Sequence, residues 1–178
     1  MKIKHITTLF FITLCTMFTS CDEGGNPEGG GTTTRNFAGD WYITISDDSE
    51  VLGENIRHYT YNTAANDNTM WIDDHGAGYG IKCKMRIDLE TGTFTAEGQP
   101  NLASTYNPNQ PISPANDPIY ADDTVTITEG KIEKGAGLSK SGHVVDKISF
   151  KAHFSYDTVD YTVTYIGHKR TGFLEDEY

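Results

Sequence analysis

A strict alternation of apolar and polar residues over residues 78–90 limits what this chain can fold into more than any other feature of its sequence. Between those two ends, each apolar residue is followed by a glycine or a charged residue. The apolar residues are Tyr79, Ile81, Cys83, Met85, Ile87 and Leu89. A period of two residues predicts a β-strand with one buried face, typical of antiparallel sheets that have one face in water. Residues 147–154 repeat the pattern.

The rest of the chain also favours strands over helices. Residues 21–178 contain 18 threonines and only 5 leucines, the reverse of what helical proteins use. No long stretch free of glycine, proline and β-branched residues has a helical period. Six further strands are predicted at 39–46, 56–63, 69–73, 91–97, 123–128 and 159–168. Turn residues separate the strands at 65–68, 74–76, 90–92 and 129–130.

Eight strands joined mostly by short hairpins predict one all-β domain at residues 36–178. Antiparallel strands in simple succession can close into an up-and-down barrel, which leaves no exposed edge and can hold a small ligand. A β-sandwich is the alternative, and the scarcity of long crossovers disfavours it. One connection is long, because residues 99–118 hold five of the six prolines. This connection predicts either a lid at the barrel rim or a surface loop without a role.

The N-terminus predicts export. Residues 1–20 run from a basic start through an apolar stretch without acids to the small residues that precede Cys21. This order is that of a secretory signal, and the apolar run is too short to span a membrane. The segment resembles the lipobox of bacterial lipoproteins, where the cysteine becomes the lipidated first residue, although Phe18 stands where leucine is usual. We expect a signal peptide and lipid attachment at Cys21, with a plain cleaved signal peptide as the alternative.

Residues 21–35 predict a flexible tether, because glycine, threonine and acidic residues fill most of the segment. A tether lets a lipid-anchored domain stand off the bilayer. The acids after Cys21 resemble the export signal of surface lipoproteins in some gut-dwelling Gram-negative groups. In enteric bacteria an aspartate at that place resembles an inner-membrane retention signal instead. We expect anchorage in the outer membrane, with the domain facing outward.

Charge and cysteine content exclude several classes of function. The formal net charge is −11, and removal of residues 1–20 leaves 12 basic residues against 25 acidic ones, or −13. Such a chain repels phosphate backbones, which excludes nucleic acid as an expected partner. Once Cys21 carries lipid, Cys83 stands alone, so no disulfide framework is expected. The sequence has no zinc or calcium motif, and we expect neither a metal nor a cofactor.

Aromatic residues on the strands are the candidates for ligand binding. Tyrosine combines a flat apolar face with a hydroxyl that needs a partner, which suits a pocket for an amphipathic ligand. The alternative is that these side chains fill the barrel or cover its outer wall. The facing of residues 56–63 is open, since two tyrosines share a face with Arg57 while Ile56 shares one with His58. The candidates are Tyr59, Tyr61, Trp71, Tyr79, Met85, Phe150, Phe154, Tyr161 and Tyr165.

Catalytic motifs are weakly represented. Ser139, Ser141 and His143 approach a nucleophile elbow but lack its spacing and its strand–turn–helix context. They predict a solvated turn rather than a catalytic site. Cys83 alternates with apolar neighbours, which predicts a buried and inert thiol.

Several short motifs together resemble a known family. Gly39 and Trp41 form a Gly-x-Trp on the first strand, and Arg170 follows the last strand. In lipocalins and their calycin relatives such a tryptophan closes one barrel end beneath an arginine from near the last strand. The resemblance therefore implies a cation–π contact in which Arg170 lies over Trp41.

The wider resemblance covers nearly all of residues 36–178. Residues 38–42, 59–64, 70–74 and 167–176 are similar to a family of lipocalin-like bacterial lipoproteins labelled lipid-binding putative hydrolases. This implies a calycin-like barrel that binds a lipid or another small apolar ligand. Hydrolysis of an acyl ester in the same cavity, with no catalytic residue to carry over, is one alternative. An accessory surface lipoprotein that docks a protein or glycan at its rim is another.

Overall fold

Eight β-strands make up the fold. The computed structural model describes residues 31–103, 106–114 and 116–178. The strands are β1 (Gly39–Ser46), β2 (Val51–Asn62), β3 (Thr69–Asp73), β4 (Lys82–Ile87), β5 (Thr93–Pro100), β6 (Thr124–Leu138), β7 (Val144–Phe154) and β8 (Val163–Lys169). Each strand pairs antiparallel with the next, and β8 pairs with β1 to close the sheet. The predicted fold class, an eight-stranded antiparallel up-and-down barrel, is confirmed.

The period-two segment forms a strand in its centre but not at its ends. The apolar face from Ile81 to Ile87 is buried, as the alternation predicts. Strand β4 begins only at Lys82, because the carboxylate of Asp74 accepts hydrogen bonds from the backbone amides of Gly78 (3.2 Å) and Gly80 (2.8 Å). These bonds hold the residues before the strand in a turn.

The turn predicted at residues 129–130 is wrong. Strand β6 continues through this point, and its pairing with β7 shifts register between Thr128 and Lys131. Glu129 has a φ of 54°, the left-handed conformation found at bulges. Gly130 lies against Phe94, where an added Cβ would overlap the ring. Turn-forming residues therefore bend a long strand here instead of ending it.

The antiparallel order places successive connections at opposite ends of the barrel. We call the end formed by connections 47–50, 74–81, 101–123 and 155–162 the loop end. The opposite end, the tail end, holds the short 3-10 turns Arg35–Phe37 and Leu174–Asp176, which flank the barrel in sequence. A third 3-10 turn, Pro118–Tyr120, lies in the longest connection of the loop end.

Trp41 links three elements at the tail end. Its fully buried indole donates a hydrogen bond from Nε1 to Thr60 Oγ1 at 2.9 Å. The hydroxyl of Thr60 in turn donates to the backbone carbonyl of Phe37 at 2.7 Å. A buried indole N–H needs such a partner, so the chain of bonds ties β1 and β2 to the N-terminal turn.

Side chains from all eight strands fill the interior of the barrel. Most of the apolar ones are only 0–2% exposed, so water does not reach them. The rings of Phe150 and Tyr165 stack nearly parallel with 4.3 Å between their centroids. Phe94 lies 5.7 Å from Phe150 and extends the same cluster. The interior is therefore packed in the manner of an ordinary protein core.

The helical segments of the described ranges are three-residue 3-10 turns, and none of them is long and apolar enough to traverse a lipid bilayer. The predicted signal peptide and Cys21 lie outside the described residues, as does the tether up to residue 30.

Candidate ligand-binding site

Three of the nine predicted binding residues lie on the outer wall of the barrel. Tyr59 and Tyr61 point outward because the alternate positions of β2, His58 and Thr60, are buried in the interior. Trp71 points outward because its neighbours on β3, Met70 and Ile72, are buried. The rings of Tyr61 and Trp71 stack on one another with 6.5 Å between centroids. The facing of β2 that the sequence left open is thereby fixed, and these three rings do not line the barrel interior.

Four predicted residues lie inside the barrel. Met85, Phe150, Phe154 and Tyr165 are 0–2% exposed and belong to the packed core. Phe154 is the one nearest the loop end among the aromatic rings of β7, and the ring of Tyr79 lies 5.0 Å from it. Interior aromatics and a loop-end tyrosine therefore form one continuous set of contacts.

The last two predicted residues, Tyr79 and Tyr161, meet at the loop end. There they join Tyr120 and Tyr156, and we call these four residues the tyrosine cluster. The ring of Tyr79 lies 6.4 Å from those of Tyr156 and Tyr161, while Tyr120 meets Tyr156 edge to face at 5.2 Å. All four side chains are half-buried. The cluster is assembled from three different connections, so only the closed barrel brings it together.

Sequence reasoning missed two members of the cluster because it searched the strands. Tyr156 lies two positions after Phe154, so an alternation continued past the end of β7 would have found it. Tyr120 ends the 3-10 turn of the longest connection, where no period marks a buried face. The sequence marks Tyr120 as a site residue only by placing an aromatic side chain beside a proline-rich segment.

Two carboxylates accept hydrogen bonds from the cluster. Tyr79 donates to the oxygens of Asp157 at 3.2 and 3.3 Å, and Tyr161 donates to Asp47 at 3.0 Å. Burial raises the pKa of Asp157, although the bond from Tyr79 partly offsets the effect. Hydrogen bonds from the Ser49 hydroxyl and nearby amides lower the pKa of Asp47 to about 2. Asp47 is therefore ionised at neutral pH and gives the rim of the cluster negative charge.

Asp74 fixes the connection that carries the central tyrosine of the cluster. Its buried carboxylate accepts bonds from the amides of Gly76 (2.8 Å), Gly78 (3.2 Å) and Gly80 (2.8 Å). A Cβ on Gly78 would lie 2.9 Å from both Asp74 Oδ2 and Ile45 Cδ1, so only glycine leaves room for this arrangement. Amides that converge on a carboxylate hold a loop rigidly, and Tyr79 lies between the last two.

Two polar atoms beneath the cluster have no hydrogen-bond partner. They are Nε2 of His58 and the hydroxyl oxygen of Tyr165, both on fully buried side chains whose rings meet edge to face at 5.7 Å. His58 Nδ1–H donates to the carbonyl of Ile56 at 3.1 Å, and burial lowers the pKa of the imidazole, which is therefore neutral with a lone pair on Nε2. Buried polar atoms are rarely unpaired, so this pair points to a place where a polar group could bind.

Asparagine side chains hold the long connection of the loop end. The amide of Asn101 donates to Asp123 at 2.7 Å and to the carbonyl of Gly80 at 2.8 Å. The amide of Asn116 donates to three carbonyls within the connection at 3.0–3.2 Å. A surface pocket of about 310 Å³ lies at its base, with half-buried Tyr106 among its lining residues. The connection thus packs at the barrel rim. Its roles as a lid or as a docking surface stay predictions.

The expected contact between Trp41 and Arg170 is not made. Lys169 supplies the cation instead, with Nζ 5.8 Å from the centroid of the indole. The guanidinium of Arg170 pairs with Glu177 at 2.5 Å and lies 3.7 Å from Asp40. The resemblance therefore placed the cation one residue too far along the chain, because Lys169 is the last residue of β8 and pairs directly with Trp41.

Ser139, Ser141 and His143 close the turn between β6 and β7. The backbone N–H of His143 donates to Ser139 Oγ at 3.0 Å, and that of Ser141 donates to Asp176 at 2.7 Å. The ring of His143 packs against Phe173 at 5.6 Å. Within the ranges described, no histidine ring hydrogen-bonds a serine or cysteine. These residues stabilise a turn and do not form a nucleophile–base pair.

Cys83 is buried, as the alternation predicts. Burial raises the pKa of its thiol to about 12, so the thiol stays protonated and is a poor nucleophile. Over the part of the chain that the structure covers, histidine, cysteine and acidic side chains do not converge in groups of three that could ligate a metal ion.

Comparison with known proteins supports the barrel and its ligand class. A family model described as "Lipid-binding putative hydrolase" matches residues 26–174, a range that includes all eight strands. No curated protein matches the chain. A closed barrel with aromatic side chains gathered at one end fits the lipid-binding part of that description. The chain therefore belongs to the lipid-binding putative hydrolase family.

Proposed function

We propose that the protein binds a lipid or another small apolar molecule at the loop end, through the tyrosine cluster. The observation that carries this proposal is the convergence of four half-buried tyrosines from three connections directly above Phe154. Such rings offer apolar faces to a hydrocarbon chain and hydroxyls to a polar head group. Membership of a lipid-binding family supports the same ligand class.

The packed interior decides how such a ligand would enter. Because the core side chains are already out of reach of water, the hydrocarbon chain of a ligand must displace protein side chains rather than fill a void. The side chains of Tyr79 and Tyr156 project from connections and not from strands, so their rings can rotate while the backbone and the hydrogen bonds between strands stay in place. Each methylene group of the ligand that becomes buried contributes roughly 0.8 kcal/mol to binding. A hydrocarbon chain of ordinary length therefore offsets the free-energy cost of moving the side chains and of association.

Lipid binding is tested with the purified protein and a neutral apolar dye such as diphenylhexatriene. We expect the dye to bind, and lipid to appear by mass spectrometry in an organic extract of the protein. Replacing Tyr79 by alanine removes the central ring of the cluster and should weaken dye binding about tenfold. The matched control is Tyr59→Ala on the outer wall, which should leave binding unchanged. An absence of both dye uptake and extracted lipid would contradict the proposal.

We further propose that Cys21 carries the lipid anchor of an outer-membrane, surface-exposed protein. The order of basic start, apolar stretch and cysteine in residues 1–21 supports this. A single acyl chain gives only marginal attachment and stable anchoring needs more, so loss of the attachment point should release the protein.

If Cys21 carries the lipid anchor, its replacement should change how the protein divides between the membrane and soluble fractions of the cell. In a Gram-negative host, Cys21→Ser should move most of the protein from the membrane pellet to the soluble fraction. Cys15→Ser, within the signal itself, is the control and should leave the protein in the pellet. Density separation of the two membranes and digestion of intact cells with protease report the membrane and the face. A Cys21→Ser protein that still pellets with the membrane would show that the anchor lies elsewhere.

A further inference from the structure

The four connections of the loop end are strongly acidic, and Lys82 at the start of β4 pairs with Asp73 at the edge of the barrel. The connections hold no lysine or arginine, and all twelve such residues from Arg35 onward lie on the strands or toward the tail end. The nine acidic residues of the connections are Asp47, Asp48, Glu50, Asp74, Asp117, Asp122, Asp123, Asp157 and Asp160. Field lines from like charges around one rim add together, so this end attracts cations and repels anions.

The negative charge is not neutralised within the protein. Ion pairs in the described part of the chain involve other carboxylates, such as Asp73 at the edge of the barrel with Lys82. Asp123 is buried but is held by neutral groups, Asn101 and Ser155. Asp157 accepts bonds only from a tyrosine hydroxyl. A carboxylate without a positively charged partner is stabilised most by a cation that the ligand brings.

The surrounding side chains favour an organic cation over a metal ion. In the described ranges the carboxylates do not converge in groups that could ligate a metal. Asp157 instead accepts from the hydroxyl of Tyr79, whose ring lies 6.4 Å from those of Tyr156 and Tyr161. Aromatic faces bind alkylammonium groups through their ring quadrupoles. The carboxylate of Asp157 supplies the countercharge that a methylated ammonium group needs, and the tyrosine rings supply the apolar contact.

A buried, unpaired hydroxyl lies beneath the same cluster. Tyr165 is fully buried, its hydroxyl has no hydrogen-bond partner, and it lies within the electrostatic influence of Tyr79, Tyr156 and Asp74. The hydroxyl is a neutral group on β8, and the ring that carries it stacks on Phe150 in the core below the rim. It marks the direction that a bound molecule would take from the rim.

We propose that the loop end selects amphiphiles with a positively charged ammonium head group over those with a neutral or anionic one. The ammonium lies at the rim against Asp157 and the tyrosine faces, and the hydrocarbon chain passes between Tyr79 and Tyr156 toward Tyr165. This inference rests on the proposed lipid binding and specifies its ligand class. Fatty-acid carboxylates are repelled by the same rim that attracts the ammonium.

The test compares three amphiphiles that share a fourteen-carbon chain: tetradecyltrimethylammonium, tetradecanol and tetradecanoate. Each displaces bound diphenylhexatriene from the full mature protein, at concentrations below the micelle concentration of the two charged compounds and below the solubility limit of tetradecanol. We expect the ammonium compound to bind about tenfold more tightly than the alcohol, and tetradecanoate to bind most weakly. The preference should shrink when salt rises from about 50 to about 500 mM, since screening weakens exposed charge interactions.

Two variants of one connection assign the effect to the site. Asp157→Asn keeps an oxygen that can accept from Tyr79 and should remove most of the preference for the ammonium compound over tetradecanol. Asp160→Asn removes the same charge from an exposed position three residues away and should change the preference less than twofold. Thermal unfolding of both variants shows that the barrel is intact.

The outcomes separate this inference from the proposed function. Equal affinity for the three head groups, or equal effects of the two variants, would overturn the ammonium selectivity and leave lipid binding standing. Failure of every amphiphile and of the dye to bind would overturn the proposed function itself. Competition between tetradecyltrimethylammonium and millimolar Ca²⁺ would show that the carboxylates hold a metal ion, and would likewise overturn the inference.

Discussion

Replacing Trp41 by alanine is expected to lower the free energy of unfolding by about 3–5 kcal/mol. The indole is fully buried at the tail end, and its removal leaves a cavity that the neighbouring strands cannot close. Thr60 would lose the donor to its hydroxyl, and Lys169 would lose the aromatic face beneath its ammonium. A loss of this size is a large part of the stability of a domain of this length.

Urea denaturation followed by far-ultraviolet circular dichroism measures this change, because the backbone amides, which every variant shares, dominate that signal. Trp71→Ala is the matched control, since it removes the same side chain from the outer wall, where Trp71 stacks on Tyr61. We expect the control to cost about 1 kcal/mol or less. Equal losses in the two variants would contradict the assignment of Trp41 as the residue that closes the tail end.

The barrel could be predicted because the interactions that specify it are local in sequence. The alternation around Cys83 and the turn residues between strands identify eight antiparallel strands without any knowledge of distant contacts. Strand β6 is the exception. Its Glu129 and Gly130 have the composition of a turn, and only their pairing with β7 and the ring of Phe94 shows that the strand continues.

The candidate site was harder to predict than the fold. In β2 the buried position is His58 and the outward one is Tyr59, the opposite of what polarity suggests, and only the closed barrel shows this. Tyr120 and Tyr156 lie in turns, where position depends on the path of the chain and not on a period. The cation over Trp41 is Lys169 and not Arg170, one residue away from the expected one. The choice depends on the register between β1 and β8, which composition does not reveal.

The contrast between core and rim explains why the site lies in the connections. The packed interior supplies stability, so groups that bind a ligand must come from segments that can move without breaking the barrel. Asp74 and Asn101 nevertheless fix the base of those segments through bonds to backbone groups. Binding at the loop end therefore combines a rigid base with mobile aromatic rings.

The closure of the barrel between β1 and β8 depends on a single glycine, Gly167. It pairs with Ile43, and a Cβ added to it would overlap the carbonyl oxygen of Tyr42. The same Cβ would lie 2.7 Å from Ile43 Cγ1 and 2.8 Å from Ile43 Cα. Two of these three atoms belong to the backbone, which cannot give way unless β1 moves away from β8.

Gly167→Ala is therefore expected to destabilise the protein by about 3 kcal/mol, at the upper end of the cost of overpacking a core. Gly53→Ala is the control, because Gly53 also pairs with β1 but an added Cβ would meet only side-chain atoms of Ile56, at 3.2 and 3.4 Å. A side chain can shift by tenths of an ångström, and alanine restricts the unfolded chain, so this change should cost less than about 1 kcal/mol. Urea denaturation compares the two. Because β1 and β8 form the last pairing that closes the sheet, a Gly167→Ala protein as stable as the Gly53→Ala one would mean that this seam is not tightly packed.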